Sequence, residues 1–273
     1  MQTLKNKTIF ITGGSRGIGK AIALRAARDG ANIIIAAKSD KPHATLPGTI
    51  FTAAEEIEQA GGRALPIRLD VRDDEAIESA VKKAPDHFKG LDVLINNASA
   101  ITLKNTLDLS MSKFDLMHSV NVRGTYACTR ACLPHLLKSE NPHILNLSPP
   151  LNLDPVWFKD YLAYTISKYG MSMCVLGMAA EFRTRGIAVN ALWPRTVIDT
   201  AAINMLGGLV KADNCRGPEI MADAAHAILC RDSKTTSGNF FLDEDVLRVE
   251  GVKDFDAYAV KAGLPLMKDL FLD

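Results

Sequence analysis

The sequence predicts an α/β fold, with a doubly wound parallel sheet covered by helices on both faces. Short, almost entirely apolar segments alternate along the chain with helical segments, and such strands are typical of a parallel sheet that is buried on both faces. A glycine-rich turn joins the first predicted strand to the first predicted helix. The chain has 273 residues, of which 47% are hydrophobic and 23% charged, and this composition allows one large core.

The predicted elements follow one another in strand–helix order. Strands are predicted at residues 8–12, 32–37, 64–69, 91–95, 143–147, 187–192 and 238–243. Helices are predicted at 18–29, 52–60, 74–84, 112–137 (one or two helices), 164–184 and around 223–229. Asp73 is a suitable N-cap for the third helix. Because no linker interrupts this pattern, we expect residues 1–273 to form a single domain.

The charge and the cysteines limit the classes of function. The formal net charge is +1, without the basic stripe or tail that is typical of nucleic-acid binding, so we expect no nucleic-acid partner. No apolar run approaches the roughly 20 residues that span a bilayer, and we recognise no signal peptide. The scattered cysteines and dispersed histidines predict neither disulfides nor a metal site. A reducing, cytoplasmic environment is therefore expected.

The glycine-rich turn at 12–19 (TGGSRGIG) lies where a dinucleotide-binding fold holds the pyrophosphate. Glycines permit a tight turn and a close approach of the backbone, and the N-terminus of the following helix favours an anion. The segment from Gly14 to Lys20 also has the spacing of a P-loop, but Ala21 replaces the hydroxyl residue that binds magnesium. A purely structural glycine turn is the other alternative. The position directly after the first strand favours a Rossmann-type dinucleotide site.

The end of the second strand bears on the choice between NAD and NADP. An acidic residue there would bind the 2′-hydroxyl of the adenosine ribose, but this strand ends in Ala36, Ala37 and Lys38. Lys38 and Arg16 instead offer cations to a 2′-phosphate. We therefore predict NADP(H) as the cofactor, with NAD(H) less favoured. The alternative is that both side chains are solvated surface charges.

Tyr164 and Lys168 lie four positions apart and so share one face of the predicted long helix. A tyrosine hydroxyl is a poor acid or base at neutral pH, but a neighbouring ammonium group stabilises its phenolate and lowers its pKa. This spacing also occurs by chance on helix surfaces. Ser148, at the end of the preceding strand, adds a second hydroxyl. Together the three residues predict a site that transfers a proton to or from a carbonyl oxygen.

These motifs, in this order, resemble the short-chain dehydrogenase/reductase family over nearly the whole chain. The resemblance rests on TGGSRGIG at 12–19, Asp70-Val71, NNA at 96–98, Asn121, Ser148, Tyr164 with Lys168, and Pro194. Five longer stretches resemble the hydroxysteroid-dehydrogenase-like branch of that family: PHATLPGTIFTAAEEIE, SPPLNLDPVWF, AYTISKYGMSM, GNFFLDED and LPLMKDLFLD. Members of that branch can carry an appended sterol-carrier-type domain, and we expect none in this sequence. The resemblance implies an oxidoreductase that interconverts a carbonyl and a secondary alcohol by hydride transfer.

The resemblance also implies a role for each matching residue. Tyr164 is expected as the general acid or base, Lys168 as the group that holds the nicotinamide ribose, and Ser148 as the group that polarises the substrate carbonyl. Asn121 is expected to anchor a water in a proton relay that reaches Lys168. The residues expected around the cofactor are Gly13, Ser15, Arg16, Gly17, Ile18, Gly19, Lys38, Asp70, Val71, Asn97, Ala98, Tyr164, Lys168, Pro194 and Val197.

Three features leave alternatives open. Arg195 stands where the family usually has glycine, and it either faces the substrate or a cofactor phosphate or points into water. Trp157 and Phe158 are either buried under the loop between Ser148 and Tyr164 or form one wall of a substrate cleft. Residues 206–210 either form a glycine-hinged lid or end a helix.

The expected substrate is a small, partly hydrophobic carbonyl compound or the corresponding alcohol. By resemblance, a homodimer or homotetramer is expected, formed through the helix of Tyr164 and the helix that contains Tyr126. The alternative to an enzyme is a non-catalytic dinucleotide-binding or lipid-handling module on the same fold. The presence of Ser148, Tyr164 and Lys168 argues against that alternative.

Overall fold

The structure is a computed structural model that describes residues 3–204 and 210–273. Its strands are β1 (Thr8–Thr12), β2 (Asn32–Ala37), β3 (Arg63–Arg68), β4 (Val93–Asn96), β5 (His143–Asn146), β6 (Ala188–Trp193) and β7 (Phe240–Leu242). Within the described residues they form one parallel sheet of seven strands, in the order β3-β2-β1-β4-β5-β6-β7. The order reverses between β1 and β4, the point at which doubly wound folds bind ligands. The predicted lid at 206–210 falls, apart from its last residue, outside the described residues.

Helices cover both faces of this sheet. They are α1 (Gly17–Ala27), α2 (Ile50–Gln59), α3 (Asp74–Phe88), α4 (Met111–Met117), α5 (Gly124–Leu136), α6 (Leu162–Phe182), α7 (Ala201–Asn204), α8 (Glu219–Leu229) and α9 (Asp243–Val249). One apolar core packs α1, α2 and α8 on one face, and a second packs α3, α5 and α6 on the other. This arrangement confirms the predicted Rossmann-type fold. No helix in the described part of the chain is long and apolar enough to cross a membrane.

Side-chain hydrogen bonds to backbone N–H groups explain where two helices begin, which the spacing of apolar residues locates less accurately. Helix α2 begins at Ile50, ahead of the predicted start, because Thr49 and Thr52 form a reciprocal cap. The N–H of Thr52 donates to Thr49 Oγ1 at 3.2 Å, and the N–H of Thr49 donates to Thr52 Oγ1 at 2.8 Å. Asp73 caps α3 as predicted, accepting a hydrogen bond from the N–H of Ala76 at 3.0 Å.

Two regions differ from the predicted elements. The helical stretch predicted at 112–137 is α4 and α5 joined by a π-helical turn, His118–Arg123, and such turns are frequent at functional sites. The strand predicted at 238–243 is shorter, and α9, which was not predicted, begins directly after it. Three acidic residues in the first turn of α9 favour a helix N-terminus at that point: Asp243, Glu244 and Asp245.

A third, smaller apolar cluster lies between α6, β6 and the C-terminal tail. Its buried members are Met117, Ala163, Tyr164, Tyr169, Trp193, Phe271 and Leu272. Because Tyr164 belongs to this cluster, the fold brings the last residues of the chain next to the predicted catalytic groups.

Candidate active site

Ser148 lies two residues after the end of β5, at the carboxyl end of the sheet. Pro149 and Pro150 follow it and cannot extend the strand, since proline has no N–H to donate to a neighbouring strand. Ser148 is fully buried (0% exposed), and its Oγ has no hydrogen-bond partner in the described structure. A buried hydroxyl without a partner is unfavourable, so this position favours a ligand group that completes its bonding.

Helix α6 brings Lys168 against Ser148. The buried ammonium group of Lys168 donates to the carbonyl oxygen of Leu147 at 2.7 Å, and that carbonyl belongs to the peptide bond preceding Ser148. Lys168 Nζ also lies 5.1 Å from the centre of the Trp193 ring, a distance suited to a cation–π contact. Tyr164 is one helical turn earlier, on the same face, and is 5% exposed. The structure thus brings Ser148, Tyr164 and Lys168 to one end of β5 and α6.

Asn121 lies in the π-helical turn and is fully buried. Its Nδ2 donates to the carbonyl of Ala100 and to Ser167 Oγ, both at 2.9 Å, and its Oδ1 accepts from the N–H of Ala100 at 2.8 Å. Ser167 Oγ in turn donates to the carbonyl of Tyr164 at 2.8 Å. The amide of Asn121 therefore ties the loop after β4 to the α6 backbone at Tyr164. Its water-mediated relay to Lys168 stays a prediction.

Burial and a carboxyl group from the C-terminal tail govern protonation at the site. Burial, followed by the charge of Asp269, raises the pKa of Tyr164. Burial lowers the pKa of Lys168 to about 7, against the opposing effect of Asp269. Burial likewise raises the pKa of Asp269 to about 7. The direction for Tyr164 is opposite to the one predicted from Lys168, because the loss of solvent disfavours the phenolate and leaves the lysine only partly charged. Tyr164 is thus a hydroxyl donor in this state.

The loop between Ser148 and α6 is held in place by hydroxyl groups of that helix. The three donors and their carbonyl acceptors are Ser172 to Pro149 (2.6 Å), Thr165 to Trp157 (2.5 Å) and Tyr169 to Asn152 (2.5 Å). Trp157 and Phe158 are both half-buried. The Trp157 ring packs 6.0 Å from Phe271, and the Phe158 ring packs edge-on against Tyr169 at 5.5 Å. Both rings therefore pack inward, against aromatic neighbours of the site.

The C-terminal tail supplies site residues that the sequence analysis did not predict. The ring of Phe271 lies 6.2 Å from the ring of Tyr164. The charge of Asp269 adds to the effect of burial in raising the pKa of Tyr164, and it opposes the effect of burial in lowering the pKa of Lys168. The sequence signal for these residues is slight, a short apolar LFL run near the end of the chain.

Thr12 and Asn97 join the turn after β1 to the loop after β4. Thr12 Oγ1 accepts hydrogen bonds from the N–H groups of Asn97 and Ala98, both at 3.0 Å. Asn97 Nδ2 donates to the carbonyls of Thr12 at 2.9 Å and of Gly13 at 3.0 Å. Thr12 belongs to the predicted motif, but sequence reasoning assigned it no role, and the structure shows that it connects the two loops.

Glycine is favoured at three positions of the turn for two different structural reasons. Gly13 and Gly17 have φ values of 68° and 55°, a region that favours glycine. A β-carbon on Gly19 would lie 2.4 Å from Asn97 Nδ2 and 2.8 Å from the carbonyl oxygen of Gly13. Helix α1 begins at Gly17, so its N-terminal N–H groups lie at this turn.

Arg16 lies between the buried Ser15 and the half-buried Ile18 and reaches the loop after β2. Its guanidinium donates to three acceptors of that loop: the Pro47 carbonyl (2.9 Å), Ser39 Oγ (2.9 Å) and the Gly48 carbonyl (3.0 Å). Partial burial lowers the pKa of Arg16. These bonds hold the loop against the glycine turn, so Arg16 is not simply a solvated surface charge.

Lys38 and Asp70 follow the neighbouring strands β2 and β3. The side chain of Lys38 is 61% exposed, and its Nζ lies 3.9 Å from Asp70 Oδ2. Asp70 makes a shorter ion pair with Arg72, at 2.6 Å, and this hydrogen bond lowers the pKa of Asp70. Val71 is buried against Gly124, where a β-carbon would meet Val71 Cγ2 at 2.9 Å. The ammonium group of Lys38 is therefore accessible to a ligand, while Val71 packs against α5.

Pro194 and Val197 are buried in the loop after β6. The N–H of Val197 donates to the carbonyl of Met267 at 2.9 Å, so the C-terminal tail pairs with this loop. Arg195 forms an ion pair with Asp245 of α9, with 2.7 Å between Nη2 and Oδ1. In this structure Arg195 therefore takes a protein partner, which neither of the two alternatives for it included.

The residues present fit a nicotinamide dinucleotide. The positive-φ glycines and the N-terminus of α1 form a backbone cradle suited to the pyrophosphate. The accessible Lys38 stands at the end of β2, where this fold places the adenosine ribose. The hydroxyl of Ser148, which is buried without a partner in the described part of the chain, stands at the other end, beside Lys168.

Known proteins match this chain along most of its length. The family model described as short chain dehydrogenase matches residues 7–206. Hydroxysteroid dehydrogenase-like protein 2 of Danio rerio is 64% identical over 266 residues, which are 97% of this chain. The chain spans 64% of the length of that relative.

Solved structures agree with this match. A Xanthomonas campestris protein superposes with a TM-score of 0.97 at 55% sequence identity, and the match covers 99% of each chain. A short chain dehydrogenase of Mycobacterium thermoresistibile superposes with a TM-score of 0.94 at 51% sequence identity, and the match covers 99% of this chain and 96% of that one. Two more distant structures share the fold over 88% of this chain and 97% of theirs. They are a Mycobacterium paratuberculosis short chain dehydrogenase bound to NAD (22% identity, TM-score 0.74) and a metagenomic short-chain oxidoreductase in complex with NADP (24%, 0.72). The chain therefore belongs to the short chain dehydrogenase family of oxidoreductases.

Proposed function

We propose that this protein is an NADP(H)-dependent oxidoreductase that interconverts a carbonyl compound and a secondary alcohol, with Ser148, Tyr164, Lys168 and Asn121 as its catalytic set. The observation that carries the proposal is the buried Ser148 hydroxyl, which has no hydrogen-bond partner among the described residues and stands beside Lys168. A carbonyl oxygen is an acceptor that would complete the bonding of this hydroxyl.

The residues of the chain hold the carbonyl group and handle the proton. When bound, the nicotinamide ring donates or accepts the hydride. Ser148 Oγ donates a hydrogen bond to the carbonyl oxygen. Burial raises the pKa of Tyr164, which stays protonated until negative charge develops on that oxygen, and it then transfers its proton there. Lys168 is held by the Leu147 carbonyl in a position to bind ribose hydroxyls, and its charge favours the phenolate that remains on Tyr164.

Replacing Tyr164 with phenylalanine tests this mechanism. We expect kcat/KM to fall by at least about 100-fold, since a positioned general acid contributes about 10²–10⁴-fold. The assay follows NADPH oxidation over a panel of ketones and aldehydes. The matched control is Tyr258→Phe, which removes a hydroxyl that donates to Asp223 at 2.8 Å, outside the candidate site. Unchanged turnover in Tyr164→Phe would refute the assignment, and NADPH binding without turnover of any compound would favour the non-catalytic module.

The preference for NADP(H) rests mainly on Lys38, because the guanidinium of Arg16 is already bonded to the loop after β2. We expect Lys38→Ala to reduce the preference for NADPH over NADH by at least about tenfold, as a hydrogen bond to a charged group contributes about 1.5–3 kcal/mol. The exposed Lys41 of the same loop supplies the control, Lys41→Ala. Calorimetric titration with both cofactors measures the ratio. Equal affinity of the unmodified protein for NADH and NADPH would show that the preference is wrong.

A homodimer or homotetramer is part of the proposal. Helices α5 and α6 expose large apolar side chains: Tyr126, Ile166, Met173 and Leu176. Light scattering after size-exclusion chromatography measures the mass, and Leu176→Lys should shift it toward the monomer.

We further propose that residues 1–273 act as one unit, since the tail pairs with the loop after β6. A cytoplasmic location stays a prediction from the cysteines, all five of which are free.

A further inference from the structure

The C-terminal strap, which we define as residues 268–273, crosses the candidate site. Three hydrogen bonds anchor it: Asp269 N–H to the Arg195 carbonyl (3.1 Å), Trp193 Nε1 to the Leu270 carbonyl (3.0 Å) and Asn152 Nδ2 to Asp273 Oδ1 (2.8 Å). The partners in these bonds lie at the end of β6 and in the loop after β5. The strap therefore spans the carboxyl ends of the two strands beside which the catalytic groups lie.

Phe271 is the centre of an aromatic cluster in this region. It is 1% exposed, and five rings surround it at centroid distances between 5.3 and 6.4 Å. They are Tyr169 (5.3 Å), Trp193 (5.9 Å), Trp157 (6.0 Å), Tyr164 (6.2 Å) and Tyr161 (6.4 Å). One side chain of the strap thus fills the apolar space that these rings enclose, next to the predicted catalytic tyrosine.

The backbone of Phe271 shows that this placement is enforced by its surroundings. Its φ is 72°, in the left-handed region that bulky residues rarely adopt. Such a conformation costs free energy and persists where neighbouring contacts over-determine it, often at functional sites. Here the anchors at Asp269, Leu270 and Asp273 hold both sides of Phe271, and the five rings hold its side chain.

The two predicted catalytic hydroxyl residues are buried, and the strap packs against one of them. Ser148 is 0% exposed and Tyr164 is 5% exposed with the strap in place. Phe271 and Leu272 share a buried cluster with Tyr164. An apolar substituent of a carbonyl compound bound at Tyr164 would therefore meet the Phe271 ring, whose centre lies 6.2 Å from that of the Tyr164 ring.

We propose that Phe271 is a specificity-determining residue, whose ring limits the size of the apolar part of a carbonyl compound that can reach Ser148 and Tyr164. This inference rests on the proposed function. It predicts that the protein favours short or compact carbonyl compounds, and that a smaller side chain at 271 moves the preference toward longer ones.

The test compares straight-chain methyl ketones from butanone to dodecanone in Phe271→Ala, Phe271→Leu and the unmodified protein, with NADPH. The control is Phe88→Ala, which truncates another buried phenylalanine (8% exposed, against 1% for Phe271) at the end of α3, remote from the site. Each methylene that becomes buried contributes about 0.8 kcal/mol, or about fourfold in kcat/KM. We therefore expect the kcat/KM ratio of the longest to the shortest accepted ketone to rise at least about tenfold in Phe271→Ala, and by less in Phe271→Leu.

A ratio of rates separates specificity from a merely structural role. A variant that is only less stable loses activity toward all ketones alike, as Phe88→Ala should, and its ratio stays unchanged. An unchanged ratio in Phe271→Ala, with the unmodified protein active, would overturn the inference. Phe271→Leu keeps an apolar side chain on the strap, so the comparison holds even if the alanine variant unfolds.

A binding measurement keeps this test separate from that of the proposed function. The sequence contains two tryptophans, and both, Trp157 and Trp193, contact Phe271. Their fluorescence reports binding of the same ketones to NADPH-loaded protein without any turnover. If no ketone is reduced, the proposed function fails, whereas a shift of the affinity order toward longer ketones in Phe271→Ala would still support the inference. The same affinity order in both proteins, or no binding to either, would contradict it.

Discussion

Replacing Gly19 with alanine would test how tightly the turn after β1 is packed against the loop after β4. A β-carbon at this position would lie 2.4 Å from Asn97 Nδ2 and 2.8 Å from the carbonyl oxygen of Gly13. Both distances are far below van der Waals contact. The same Nδ2 donates to the carbonyls of Thr12 and Gly13, so moving Asn97 aside breaks the bonds that hold the turn.

The size of the effect follows from three contributions. Alanine gains up to about 1 kcal/mol over glycine from helix propensity, because Gly19 lies in α1. Overpacking opposes this by about 1–3 kcal/mol. The two hydrogen bonds of Asn97 Nδ2 are worth about 0.5–1.5 kcal/mol each. We therefore expect the free energy of unfolding to fall by about 1–6 kcal/mol, as these ranges combine.

Urea unfolding and calorimetric NADPH titration measure the two consequences. Affinity for NADPH should fall along with stability, because the displaced turn is the proposed pyrophosphate cradle. The control is Gly90→Ala, where a β-carbon meets no described residue within 4 Å, and which should stabilise the protein by about 0.4–1 kcal/mol. If Gly19→Ala proved as stable as the unmodified protein and bound NADPH equally well, the steric argument would be refuted.

Three further predictions concern stability. Burial lowers the pKa of His143 to about 4. The unfolded chain, with a histidine pKa of about 6.5, binds more protons between these values, so the free energy of unfolding should fall by up to about 3 kcal/mol as the pH decreases from about 6.5 to about 4. Urea unfolding at several pH values over this range should show a smaller decrease in the free energy of unfolding for His143→Gln. An equal decrease in both proteins would contradict the reasoning. Asp73→Ala should lower the free energy of unfolding by about 1 kcal/mol, since it removes the side chain that accepts a hydrogen bond from the N–H of Ala76. Asp73→Asn keeps an acceptor and should retain most of that stability, and thermal unfolding of both variants tests the difference. Arg216→Met removes one ion-pair partner of the buried Glu244 and should lower the free energy of unfolding in urea by about 3 kcal/mol. A decrease of less than about 1 kcal/mol would show that the Arg216–Glu244 ion pair does not stabilise the fold as expected.

Local sequence patterns predicted those parts of the site that depend on chain-local geometry. The glycine turn and Ser148 each lie just after a strand, and parallel strands bring their carboxyl ends to one edge of the sheet. Tyr164 and Lys168 share a face because of helical periodicity alone. These residues could therefore be placed together before the sheet order was known.

Other features depended on side chains that meet across long sequence separations. Arg195 pairs with Asp245, which lies in a helix that periodicity did not predict. Arg16 bonds to the loop after β2, so its role is partly structural. No local pattern contains such contacts, because each requires two distant segments to be positioned by the core.

The protonation of the site shows the same limit. The spacing of Tyr164 and Lys168 predicts that the lysine lowers the pKa of the tyrosine. The structure gives the opposite direction, since burial raises the pKa of Tyr164 and lowers the pKa of Lys168 to about 7. Burial depends on what covers the two side chains, which a motif does not specify.

The sequence by itself determined the doubly wound fold and the positions of the proposed dinucleotide turn and the proposed catalytic motif, because apolar periodicity, glycine positions and helical spacing are encoded locally. The tertiary structure alone decided that the C-terminal strap lies over this site, with Phe271 at the centre of five aromatic rings and Asp269 near Lys168. That placement arises from hydrogen bonds and ring packing between the strap and segments around β5, α6 and β6. Such contacts form only when the folded sheet has brought those segments together.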